Sequence, residues 1–180
     1  MLALGLVLLL ADSAVSVDAP RTYANMRIGS SSSDPEGRPS VCLELAPLAF
    51  LSIEGCGTGS GFLHHSAQPE LAHFRSKIAL GTFRNERAWF RPQLTVGFAE
   101  YQVAEDSPGF HFSGTGPEGV ETAGPEVGAS LKMLVPVRAG FEVVGDLGFG
   151  VAYLKHAPKL AREATDPLVF SAGATLGVGF

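Results

Sequence analysis

From residue 139 to 155, large apolar side chains recur at every second position. Phe141, Val143, Leu147, Phe149, Val151 and Tyr153 fall on one face, and Glu142, Asp146, Gly148, Gly150 and Ala152 on the other. Successive side chains of an extended chain point to opposite sides, so this is a strand with two unlike faces. The C-terminal segment repeats the pattern: Leu168, Phe170, Ala172, Ala174, Leu176, Val178 and Phe180 oppose Ser171, Gly173, Thr175, Gly177 and Gly179. Phe90, Leu94, Val96 and Phe98 oppose Arg91, Gln93, Thr95 and Gly97. Phe74, Ile78 and Leu80 oppose His73, Arg75 and Lys77. Val127, Ala129, Leu131, Met133 and Val135 oppose Glu126, Gly128, Ser130 and Lys132. Near the start, Ala24, Met26 and Ile28 oppose Asn25 and Arg27; Val41, Leu43 and Leu45 oppose Cys42 and Glu44; Leu51 and Ile53 oppose Ser52 and Glu54.

The alternation predicts about eight strands, near residues 22–30, 39–47, 51–63, 71–83, 87–104, 120–136, 139–155 and 167–180. Several reach the length of about 9–11 residues that a tilted membrane-spanning strand requires; soluble strands are usually about 5–6. Connections alternate in length. Those at residues 47–49, 85–86 and 137–138 are tight, while 31–39, 64–70, 105–119 and 156–166 are longer and rich in Gly, Pro, Ser or Asp. Short turns at one end and long loops at the other are the habit of an outer-membrane barrel. An even strand count puts both termini on the short-turn side.

Composition narrows the class. After the first ten residues no apolar run approaches the roughly 20 residues of a spanning helix, although 46% of the 180 residues are apolar and mean hydropathy is +0.21. Gly, at 22 residues, disfavours helix interiors. The net charge of -5 gives no footprint for nucleic acid. Residues 1–10 are apolar and small residues follow, so residues 1–19 read as a secretory signal peptide and 20–180 as the barrel. No Lys or Arg precedes the apolar run. The alternative is therefore that this stretch is the remnant of an upstream strand, which would make a barrel of about ten strands.

Which face is outside needs an argument. The polar face carries Gly, Ser and Thr together with charges of both signs: Arg75, Lys77, Arg91 and Lys132 against Glu44, Glu54, Glu126, Glu142 and Asp146. Small residues suit a crowded lumen, and mixed charges pair there. The other face carries large apolar residues on most strands, as lipid contact requires. Trp89, Phe90, Tyr101, Phe110, Phe112, Tyr153 and Phe180 lie near strand ends or in loops, where interfacial girdles would use several of them. The expected fold class is therefore all-β: a closed, antiparallel, up-and-down transmembrane β-barrel.

The chain ends SAGATLGVGF. Phe180 is terminal, Val178 and Leu176 sit at alternate positions before it, and Gly173 lies further back. This resembles the C-terminal signal that outer-membrane barrels present to their assembly machinery. Over roughly residues 22–180 the pattern is similar to the small eight-stranded outer-membrane barrels of OmpA/OmpX type. The resemblance implies an envelope protein of a Gram-negative-type bacterium, with outer-membrane lipid and the barrel-assembly machinery as partners.

The chemistry is sparse. If the hairpin turns at Ala49, Cys42 and Cys56 stand directly opposite each other on the polar face, within reach of a disulfide; two free thiols are the alternative. The same register sets Glu44 beside Glu54, read as lumenal charges to be offset by basic neighbours rather than as a paired acid/base site. Paired Cys or His ligands at zinc-like spacing are lacking, so neither a metal nor a cofactor is expected. His64 and Ser66 resemble the His-x-Ser element of outer-membrane lipid A deacylases, but they sit in a predicted loop with no assignable acidic partner. The expected role is a non-enzymatic structural or surface-interaction barrel. A narrow solute channel or carrier and a lipid-modifying outer-membrane hydrolase are the alternatives.

Overall fold

A computed structural model describes residues 22–33, 38–59, 70–102, 123–138, 140–155 and 167–180. Its strands are β1 (Ala24–Ser31), β2 (Ser40–Leu48), β3 (Leu51–Gly57), β4 (Glu70–Ala79), β5 (Phe83–Arg84), β6 (Trp89–Gln102), β7 (Ala123–Arg138), β8 (Phe141–Tyr153) and β9 (Leu168–Gly179). All pairings are antiparallel, and the eight longer strands form a ring in which β4 pairs with β6 and β1 with β9. The seam between first and last strands runs from Asn25↔Gly179 to Ser31↔Gly173. This closure satisfies the backbone of every ring strand on both sides, the condition for crossing a lipid core with strands. Because β1 itself closes the ring onto β9, the ten-stranded alternative is not adopted.

Two local features differ from the sequence expectation, and a third lies partly outside the described residues. The two-residue strand β5 pairs only with the start of β6, Phe83↔Phe90 and Arg84↔Trp89. Its turn is held by Asn85, whose Oδ1 accepts from the Arg87 and Ala88 amides at 3.0 and 2.8 Å. The β7–β8 turn falls later than residues 137–138: β7 continues to Arg138, and Gly140 supplies the positive φ of 83° that an L side chain resists. The third strand is described to Gly57, and residues 60–63 of the expected span lie outside the described residues. So do residues 1–19, His64, Ser66, Phe110 and Phe112.

The β2–β3 hairpin shows how the register is set. Leu48↔Leu51 closes a tight turn at Ala49 and Phe50, and a register shift follows between Leu45 and Leu48. Ala46 and Pro47 there stand against Ser52 alone, at a place where proline has no amide to donate. Beyond this bulge the pairing becomes Leu45↔Ile53, Glu44↔Glu54 and Cys42↔Cys56. The opposition of the cysteines expected from a turn at Ala49 is thus reached by a two-residue turn plus one bulge.

Burial is inverted relative to a water-soluble domain. Met26, Ile28, Leu43, Leu45, Leu94, Val96, Leu147, Leu176 and Val178 are exposed, Phe149 is 65% exposed and Phe170 74%. Arg27 and Glu44, by contrast, are each 1% exposed, and Glu54, Lys77, Glu126 and Lys132 are buried as well. Glu100, near the long-loop end of β6, is also buried. Among the described residues, two small clusters of buried apolar side chains form. Trp89, Leu134 and Val144 meet at the short-turn end. Leu71, Ala99, Ala152 and Leu154 meet at the long-loop end, with Tyr101 packed against them. Trp89 and Tyr101 therefore belong to the barrel interior, not to an outer girdle as their places near strand ends suggested.

Candidate functional site: a charged lumen

The interior between the two apolar clusters is filled by ion pairs. Arg27, at an inward position of β1, is the hub. Its Nη2 donates to Glu44 Oε2 at 3.0 Å and also engages Glu54 Oε2, while Nη1 lies 3.1 Å from Asp146 Oδ2. Its Nε donates to Asn25 Oδ1 at 2.8 Å, which fixes the guanidinium plane. Lys77 reaches across from β4 to Glu54 at 2.6 Å and Asp146 at 3.0 Å. Lys132 of β7 donates to Glu44. Three cations thus face three carboxylates drawn from β1, β2, β3, β4, β7 and β8. A charge inside a barrel is tolerable only when paired and hydrogen-bonded in this way.

A second group lies toward the long loops. His73 Nδ1 meets Glu126 Oε2 at 3.0 Å, and Arg75 Nε approaches Glu126 at 3.4 Å and Glu54 at 4.0 Å. Since the carboxylate accepts, His73 donates from Nδ1 and its Nε2 is left over. That Nε2 is buried without a hydrogen-bond partner among the described residues, as are Arg75 Nε and Glu126 Oε1. Toward the short turns, Arg91 Nε donates to Thr82 Oγ1 at 3.2 Å and Glu142 accepts from Thr22.

All nine charged residues predicted for the polar face, Glu44, Glu54, Arg75, Lys77, Arg91, Glu126, Lys132, Glu142 and Asp146, are placed at inward positions. Seven of them join in two ion-pair groups with Arg27 and His73, while Arg91 and Glu142 stand nearer the turns. Arg27 and His73 were the omissions. Both sit on the polar side of their alternation, which is the signal that could have included them. Gly173 faces inward, and Leu176, Val178 and Phe180 face outward.

Cys42 and Cys56 are joined in a disulfide, with Cα atoms 4.1 Å apart. It lies in a row across the sheet, Arg27↔Cys42↔Cys56↔His73. Both cysteines line a small cavity of about 40 Å³ that also touches Arg27, Glu54, His73, Arg75 and Asp146. Ser31, Ser40 and Ser171 are among its other lining residues. The arrangement is a polar cup seated on the charge layer. An eight-stranded barrel has an interior just wide enough for side chains, and the Trp89–Leu134–Val144 cluster lies between the charge layer and the short-turn end. No protein-family model matches this chain, and no curated protein sequence matches it.

Proposed function

We propose that this chain is an integral outer-membrane β-barrel with a structural or surface-interaction role and no catalytic activity. The observation that carries the reading is the inverted burial: exposed aliphatic and aromatic side chains encircle the ring while Arg27, Glu44, Glu54 and Lys77 are buried inside it. A soluble monomer rarely exposes an apolar patch beyond about 300–600 Å², whereas here the apolar surface runs through the outward positions of all eight ring strands. Hydrocarbon is the environment in which that surface is satisfied. Tyr23, Phe50, Phe83, Phe141 and Phe180 are exposed around the short-turn end, where an interfacial aromatic girdle would sit. The outward Leu176, Val178 and Phe180 suit recognition by assembly machinery. Residues 1–19 would be the export signal, and the long connections would face the exterior of a Gram-negative-type envelope.

The filled interior supports a closed cylinder over a solute channel. Fractionation tests the location: the protein should co-sediment with outer membranes and migrate faster on gels before boiling than after. Recovery in the soluble periplasmic fraction would overturn the reading. In planar bilayers the purified protein should give no sustained conductance, and a steady open level at low voltage would favour the channel instead.

A further inference from the structure

We propose that the Cys42–Cys56 pair is a redox-gated site for one thiophilic divalent cation of the zinc type, with Glu54 as third ligand and His73 as the fourth donor. In the disulfide state the pair offers no thiolate. In the dithiol state it presents two soft ligands, next to a carboxylate, at the wall of a cup.

Three observations converge. The Sγ atoms of Cys42 and Cys56 and a carboxylate oxygen of Glu54 all lie within 4.8 Å of one another. Two sulfurs on one tetrahedral zinc stand about 3.8 Å apart, from Zn–S bonds of about 2.3 Å. Side chains on directly opposed residues with Cα atoms 4.1 Å apart span that separation by rotation about χ1. Second, His73 is the residue opposite Cys56 on β4 and lines the same cavity; its ring nitrogens lie outside the 4.8 Å group, so it joins the ion only by moving toward the sulfurs. Its Nδ1 is held by Glu126 at 3.0 Å, and its buried Nε2 has no partner among the described residues. A histidine whose one nitrogen donates to a carboxylate while the other stays free is the arrangement that orients a metal ligand. Third, charge is provided for. Two thiolates and Glu54 exceed the charge of a divalent cation by one unit, and Arg27 and Lys77 already contact Glu54 Oε2. Oε1 is approached among the described residues only by Arg75, at 4.0 Å, so it is the oxygen free to turn toward a metal.

The redox step balances with an external dithiol as reductant. Two electrons and two protons pass to the Cys42–Cys56 bond, the S–S bond breaks to two thiols, and the dithiol leaves as its own disulfide. Binding of the cation then releases the two thiol protons.

The test uses the full chain, folded in detergent or in buffer as its β-spectrum dictates, reduced with a phosphine and freed of it without oxygen. Titration with Co²⁺ should saturate at one equivalent with thiolate-to-cobalt charge-transfer absorption, and Zn²⁺ should displace the cobalt and block thiol alkylation. The chain has only two cysteines, so that absorption reports this pair alone. The oxidised protein and the Cys42→Ser/Cys56→Ser variant should show none of it. Glu126→Gln, which leaves all four ligands in place, should weaken binding about 10–100-fold. Absence of the absorption at excess Co²⁺ in reduced protein would overturn the site. So would loss of the β-spectrum on reduction, or equal Co²⁺ uptake by the double serine variant.

Discussion

Replacing Arg27 with methionine removes the hub of the lumenal charge layer while keeping most of the side-chain volume. In the folded protein Arg27 touches Glu44, Glu54 and Asp146 at once. Its loss changes a layer of three cations and three carboxylates into one of two and three. Removing one partner of a buried pair costs about 3–5 kcal/mol, because the remaining charge stays buried. Here the lower half of that range applies. Lys132 still serves Glu44, and Lys77 still serves Glu54 and Asp146. The expected destabilisation is therefore about 3–4 kcal/mol, a fall of several hundredfold in the folding constant at about 1.4 kcal/mol per tenfold. Urea unfolding of protein reconstituted in phospholipid vesicles measures it, followed by Trp89 fluorescence and by gel migration without boiling. Adding Glu44→Gln to Arg27→Met restores equal numbers of opposite charges and should recover more than half of the loss. A single variant within about 0.5 kcal/mol of the parent would refute the charge-layer argument, as would a double variant worse than the sum of the singles.

Phe149→Arg places a cation at an outward position of β8 and should cost about 2–4 kcal/mol if that position meets the bilayer midplane, measured by the same unfolding assay. Gly177→Ala adds a Cβ that would stand 1.9 Å from the Met26 carbonyl oxygen at the β1–β9 seam. It should lower the urea midpoint by an overpacking cost of about 1–3 kcal/mol, whereas Gly55→Ala, with open space around its Cβ, should leave the midpoint unchanged. Non-reducing mass analysis of protein isolated from cells should find Cys42 and Cys56 closed to alkylation. Their joint replacement by alanine should cost about 3 kcal/mol from the lost loop constraint.

The sequence made the strands readable wherever large apolar residues alternate with small or charged ones, as in Phe141–Tyr153 and Leu168–Gly179. Period-2 alternation reports the face directly, so Glu44, Lys132 and Asp146 could be assigned to one side before any contact was known. It does not report the level along the barrel axis. Level depends on the stagger between strands, and stagger alone decides that Arg27, Lys77 and Asp146 meet. For the same reason the centrality of Arg27 was hidden, though its face was plain. The cysteine pairing was readable because it lies within one hairpin, where turn position fixes register; the bulge at Ala46 and Pro47 was not, because a turn and a bulge shift the register in compensating ways. Trp89 shares the parity of Arg91 and Gln93, so alternation already points it inward, but its place near a strand end is equally one for an interfacial aromatic, and its partners Leu134 and Val144 follow from the stagger between strands. Phe83–Arg84 is too short for any periodicity to show.

The central claim is that the exposed apolar face meets lipid and the charged face does not. Single cysteines placed at Leu147, Phe149 and Leu176, and separately at Gly148 and Ala152, in a chain lacking Cys42 and Cys56, carry a fluorescent label in reconstituted vesicles. A quencher confined to the acyl chains should extinguish the label at the first three positions and leave it bright at the last two. Quenching at none of the five, with a water-soluble quencher reaching the label at Leu147, Phe149 and Leu176, would contradict the account and make this a barrel whose outer face lies in water.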